Sequence, residues 1–199
     1  MLDTHARKYV DPIIDKTSKG FLTLNMTPNQ VTILAFITGV IASVLVYFDY
    51  NIVACLLLWL SGFLDAVDGA MARKSNNSTP WGTLLDITFD RIVEIFIIIS
   101  LALKFNQLIF NYLILTCCII FSMTIFLTVG ALSEKNGIKS FYYQAGVAER
   151  TEGFIFFTFM ILIPNNTGLI TNIFSLLIFI TAIQRMMEAK KIFENKSSL

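Results

Sequence analysis

Four carboxylates stand in stretches that are otherwise apolar. Asp65 and Asp68 lie in the run Trp59 to Arg73, and Asp86 and Asp90 lie in Trp81 to Arg91. The first pair is spaced i,i+3 and the second i,i+4, so on helices each pair occupies one face. The short polar connection 75–80 predicts that the two helices are antiparallel neighbours. At 1.5 Å per residue, Asp68 and Asp86 each fall roughly 9–10 Å from that connection, and Asp65 and Asp90 roughly 15 Å from it. The depths match in pairs, so the four groups can converge. An Asp at the centre of a membrane span costs about 2.5–3.5 kcal/mol, and less near an end. Four converging anions also repel one another unless cations intervene. Hard divalent cations favour carboxylate oxygens, and Mg²⁺ in particular keeps waters and adds substrate phosphates. The pattern predicts Mg²⁺ or Mn²⁺, as two ions, on Asp65, Asp68, Asp86 and Asp90. Two other readings fit the same residues. The carboxylates can pair with Arg73, Lys74 or Arg91, or they can line the pathway of a membrane cation transporter.

Small residues surround the acids. Ser61, Gly62 and Ala66 suit close helix packing. Gly69 directly follows Asp68, where the lack of a side chain lets a flat ring or a phosphate approach the backbone. Arg73 is one turn further on, and its planar fork can reach back toward a phosphate. The same residue can equally snorkel at a helix end.

The elements that must position these groups are membrane helices. Of 199 residues, 55% are hydrophobic and only 15% charged, with a net charge of +1; mean hydropathy is +0.69. Soluble domains carry about 25% charge. A water-soluble globule, a disordered chain and a nucleic-acid binder are therefore poor fits. Cys55, Cys117 and Cys118 all sit in apolar runs, which is neither a disulfide framework nor a metal-finger spacing. The N-terminus lacks the continuous apolar stretch of a cleaved signal peptide. The expected fold is an all-α integral membrane protein with six transmembrane helices, at about 30–48, 52–73, 81–103, 107–131, 152–163 extending back toward 146, and 168–187. Residues 1–29 read as a separate juxtamembrane segment and 30–199 as the six-helix domain. In the former, Val10, Ile13, Ile14, Phe21 and Leu22 alternate with charges, which predicts an interfacial amphipathic helix begun at Asp11-Pro12. Lys and Arg fall on the side of both termini, with Lys104 alone on the other, so the termini and the acidic cluster are expected in the cytoplasm.

Taken together the residues read Asp65-x2-Asp68-Gly69-x2-Ala72-Arg73-x8-Gly82-x3-Asp86-x3-Asp90. This resembles the motif of the CDP-alcohol phosphatidyltransferases at all eight defining positions. The entry Thr27-Pro28-Asn29-Gln30-Val31-Thr32 to the first span is also similar to that family. The resemblance implies transfer of a phosphatidyl group from a CDP-linked lipid, CDP-diacylglycerol in the first instance, to a polar alcohol, with release of CMP. It implies a first metal on Asp65, Asp68 and Asp86, and a second on Asp65, Asp86 and Asp90. Asp90 would also take the proton of the attacking hydroxyl. Gly69, Ala72 and Gly82 would make room for cytidine, and Arg73, Thr79, Asn29 and Thr32 would touch the nucleotide lipid. The family also implies a homodimer.

The acceptor pocket is expected from loop 133–150 and the start of the fifth span. Ala148-Glu149-Arg150-Thr151-Glu152 resembles the Glu-Arg-x-Glu-Arg stretch of the inositol-phosphate-using branch, but Gly153 replaces its second Arg. That branch also has a Lys near the end of span four, where this chain reads Phe126-Leu127-Thr128-Val129-Gly130. Arg185 does match the branch. Arg150 and Arg185 can bind one phosphate or carboxylate, or can simply face the lipid headgroups. A doubly charged phosphate wants several cations, so the sequence speaks against a phosphorylated inositol.

Overall fold

The computed structural model of the chain describes residues 2–75, 78–132, 146 and 150–196. Among them are seven α-helices: α1 (Leu2–Thr23), α2 (Pro28–Tyr47), α3 (Asn51–Lys74), α4 (Pro80–Lys104), α5 (Ile109–Leu132), α6 (Arg150–Leu162) and α7 (Thr167–Lys196). No strand occurs among the described residues.

Local chemistry sets the helix starts. Thr27 caps α2: its hydroxyl accepts from the Gln30 amide at 3.3 Å, and the Gln30 side chain accepts from the Thr27 amide at 2.9 Å. This reciprocal box satisfies two orphan donors, and Pro28 fits the first helical position. Thr79 followed by Pro80 starts α4 in the same manner, with Thr79 Oγ1 accepting from the Gly82 amide at 3.0 Å. Between α2 and α3 the chain turns through Asp49, whose φ is +66°.

Four segments are long and apolar enough to cross a membrane: Pro28–Tyr47, Asn51–Lys74, Asn106–Leu132 and Pro164–Glu194. These make the chain an integral membrane protein. Six were expected from the sequence. The helix α4 has the length, at 25 residues, but carries Asp86, Asp90, Arg91, Glu94 and Lys104. The helix α6 has only 13 residues. The N-terminal helix also differs from expectation. It begins at Leu2 and takes Pro12 into its interior, at the loss of one backbone hydrogen bond.

The chain divides into two compact units, at residues 2–106 and 107–199. In the first, α3 and α4 both pack along α2, and α1 packs on α3. The expected neighbours α3 and α4 thus share a support in α2, and carboxylates from both come within 4.8 Å of one another. Val31, Ala35, Leu64, Val67 and Met71 form a buried core between α2 and α3, covered by Ile14, Phe21 and Leu22 of α1. Phe36 of α2 stacks on Phe89 of α4, with centroids 4.3 Å apart. At the end of this unit remote from the acids, Lys104 Nζ lies 2.7 Å from Asp49 Oδ1 and donates to Asn51 Oδ1 at 3.0 Å.

In the second unit α7 packs on α5 and α6. The buried face of α7 carries Thr167, Thr171, Ser175 and Thr181. Thr171, Ser175 and Thr181 donate to the carbonyl four residues earlier, which keeps these hydroxyls satisfied inside an apolar interface.

Candidate active site

Three of the four acids meet. Asp65 and Asp68 on α3 and Asp86 on α4 each offer a carboxylate oxygen, and these atoms lie within 4.8 Å of one another. Asp65 and Asp68 are buried, at 8% and 4% exposure, in a helix with apolar neighbours. Asp90 lies one turn beyond Asp86 and is not in that close group. The donor set is all carboxylate oxygen, the chemistry that suits a hard divalent cation and no soft one.

Two of the cations expected as alternative partners of the acids pair elsewhere. Lys74 Nζ sits 2.7 Å from Asp15 Oδ1 and donates to the Asp15 carbonyl at 2.9 Å and to Ser18 Oγ at 2.6 Å. Three donors meet three acceptors on α1. Arg91 pairs with Glu94 along α4. The Lys74 hydrogen bond holds the Asp15 carboxyl below its ordinary value.

The remaining motif residues gather in two places. A Cβ on Gly69 would meet Arg73 Nη1 at 3.3 Å, so the guanidinium folds back over the bare backbone beside Asp68. A Cβ on Gly82 would meet Asn29 Oδ1 at 3.1 Å and Thr79 Oγ1 at 3.2 Å. Asn29, Thr79 and Gly82 therefore converge where α2 and α4 begin. Ala72 is half-buried and Arg73 exposed at the end of α3. Thr32 is buried, and its hydroxyl donates to the Pro28 carbonyl at 3.1 Å. Thr79 has a structural task that sequence spacing did not reveal, as the cap of α4.

The expected acceptor residues lie in the second unit. Arg185 is buried, donates to Ser122 Oγ at 3.2 Å and stands 5.0 Å from the Phe126 ring centroid. Arg150 opens α6, with its guanidinium 5.8 Å from the Phe154 ring. Gly153 is buried, and a Cβ there would meet Phe174 at 3.6 Å, so this position serves helix packing. The loop residues 133–145 and 147–149, including Ala148 and Glu149, lie outside the described residues.

Residues 25–186 match the family profile of the CDP-alcohol phosphatidyltransferases. The chain belongs to this family. The archaetidylinositol phosphate synthase of Pyrococcus horikoshii is 31% identical over 196 residues, covering 94% of this chain and 96% of that protein. The inner membrane protein YnjF of Escherichia coli is 29% identical, covering 94% of each. Among solved structures, the phosphatidylinositol phosphate synthase of Mycobacterium tuberculosis with CDP-DAG bound superposes with a TM-score of 0.75 at 22% identity, covering 89% of this chain and 94% of that one. The same enzyme with manganese and citrate gives 0.73. At that identity the likeness establishes the fold. As a CDP-alcohol phosphatidyltransferase, the chain is a membrane enzyme of phospholipid synthesis, moving a phosphatidyl group from a CDP-linked lipid to an alcohol. The transporter reading of the acidic cluster falls away.

Proposed function

We propose that the chain transfers the phosphatidyl group of CDP-diacylglycerol to a small polar alcohol, using two Mg²⁺ or Mn²⁺ ions. The observation that carries this is the carboxylate group of Asp65, Asp68 and Asp86 beside the Gly69–Arg73 fold-back. Asp65, Asp68 and Asp86 would hold the first ion, and Asp65, Asp86 and Asp90 the second. Bound divalent ions supply Lewis acidity, polarising phosphoryl oxygens and stabilising the entering and leaving oxygens of an in-line displacement. Asp90 accepts the proton of the attacking hydroxyl. The new phosphorus–oxygen bond forms to the alcohol as the bond to CMP breaks. Arg73 holds the nucleotide phosphates, and Gly69, Ala72 and Gly82 leave space for the cytidine. Asn29, Thr32 and Thr79 line the nucleotide side at the helix starts.

The acceptor carries no doubly charged phosphate, and at most a singly charged group held by Arg150 and Arg185. The packing of Gly153 against Phe174 supports this, since the position offers no cation. The names of relatives point instead to inositol phosphate, so the acceptor needs its own test. We further read α4 and α6 as crossing the membrane with the four apolar helices, giving six spans in residues 30–199. In that reading 1–29 lies at the surface, the acids and both termini face the cytoplasm, and the enzyme is a homodimer.

The test is CMP release from CDP-diacylglycerol by purified protein, with Mg²⁺ or Mn²⁺ and then with chelator. Release that stops with chelator, and in Asp65→Asn, is the expected result. No release with any alcohol overturns the reading. Turnover that is fastest with inositol 1-phosphate or glycerol 3-phosphate, against inositol and serine, overturns the acceptor assignment alone.

A further inference from the structure

Three helices meet at Gly39. A Cβ on this residue of α2 would lie 2.6 and 2.7 Å from the two γ-carbons of Val93 on α4, and 2.9 Å from Ser61 Oγ on α3. Both neighbours are buried, at 6% exposure each. From Ser61 the carboxylates follow at four and seven positions along α3, as Asp65 and Asp68. From Val93 they follow at three and seven positions back along α4, as Asp90 and Asp86. The crossing is therefore the common origin of two arms of equal reach, each about 10 Å to its outer carboxylate.

We propose that Gly39 is a positioning residue for the divalent-metal site. It lets α3 and α4 seat on α2 at one level and so sets the separation of the two carboxylate-bearing arms. This rests on the reading of Asp65, Asp68 and Asp86 as metal ligands. Carbon atoms in contact stand about 3.5–4.0 Å apart, so a methyl on Gly39 needs about 1 Å of new room. Val93 cannot rotate away, because any staggered rotamer of a β-branched side chain leaves at least one methyl facing Gly39. Ser61 is held by its hydrogen bond to the Ala35 carbonyl at 2.8 Å. The room must come from the helices. A metal site tolerates ligand displacements of about 0.2 Å, well below that shift.

The experiment titrates Mn²⁺ into detergent-purified protein, read by electron paramagnetic resonance, alongside thermal melts of the metal-free chain. The variants are Gly39→Ala, Val93→Ala and Gly39→Ala with Val93→Ala. Gly39→Ala is expected to weaken Mn²⁺ binding about 10–100-fold, the scale for lost support around metal ligands. Removing the Val93 methyls should restore affinity in the double variant, while Val93→Ala alone stays near the parent. A lower melting midpoint with unchanged Mn²⁺ affinity in Gly39→Ala means packing alone and overturns the proposal. So does a folded double variant that fails to recover. If Gly39→Ala does not fold, Val93→Ile is a milder wedge at the same contact, and parental Mn²⁺ affinity there also overturns it. A parent that binds no Mn²⁺ overturns the metal reading and the proposal together. Loss of binding in Asp65→Asn with parental binding in Gly39→Ala sinks only the role of Gly39.

Discussion

Arg73 reaches Gly69 with the free end of a flexible, exposed side chain, whereas Gly82 faces the Thr79 hydroxyl that caps α4. The two glycines therefore differ in what a substitution disturbs. At Gly69 an added side chain displaces a guanidinium, which can move into solvent without cost to the helix. Gly69→Leu is expected to abolish CMP binding, measured by calorimetry, with helicity unchanged. At Gly82 the neighbour is fixed, and a side chain would strain a cap whose loss costs about 0.5–2 kcal/mol. Asp90 is separated from the other acids in a different sense. A general base must be ionised and within hydrogen-bond reach of the hydroxyl, and Asp90 stands one turn along α4 from Asp86, outside the tight group. Asp90→Asn is expected to lower kcat by about 10²–10⁴, the usual scale for a lost general base. CMP affinity, measured on the same variant, should fall far less. Loss of CMP binding as complete as in Asp65→Asn would make Asp90 a ligand first.

The end of α3 is fastened to α1 by Lys74, one residue beyond Arg73. Because the Lys74 hydrogen bond lowers the folded-state value of the Asp15 carboxyl, the ion pair stabilises the docked helix at neutral pH. That contribution is lost as pH falls through the lowered value, below the ordinary carboxylate value of about 4. Protection factors of the α1 amides, which remove the intrinsic pH dependence of exchange, should therefore fall on strong acidification. In Asp15→Asn they should already be low at pH 7 and change less with acid. This fastening was not legible in the sequence, since Asp15 and Lys74 are remote along the chain and each reads as an ordinary surface charge. The helices themselves were legible: the apolar runs that became α2, α3, α5 and α7 have the length and composition of membrane spans. The convergence of Asp65, Asp68 and Asp86 also followed from spacing and depth. What spacing could not show was the support beneath the two helices. A connection as short as 75–80 brings helix ends together, and α3 and α4 also both pack along α2, where Val93 and Ser61 close on Gly39. A lone Gly in an apolar run carries no mark of which neighbours press on it. Thr79 was legible as a family position and not as a cap, because one hydroxyl can serve either purpose.

At the scale of the whole chain the motif is carried by one unit and the basic candidates by the other. Every residue from Asn29 to Asp90 named for metal or nucleotide lies within residues 2–106, whereas Arg150 and Arg185 lie within 107–199. Arg185→Ala is accordingly expected to raise the acceptor KM about tenfold or more, the scale of a lost charged hydrogen bond. Mn²⁺ and CMP binding should stay at parental strength. A fall in CMP affinity equal to the loss in acceptor affinity would show a general collapse instead. The first unit has its own closure at the end remote from the acids, where Lys104 meets Asp49 and Asn51. That contact bears on how the chain is made. During synthesis Asp49 leaves the ribosome well before Lys104, so the anion must wait for its counterion until α4 has emerged. If the acids face the cytosol, both charges must be carried through the bilayer, and a neutral pair is cheaper to translocate than two separate ions. A nascent chain that ends before residue 104 leaves Asp49 without this counterion.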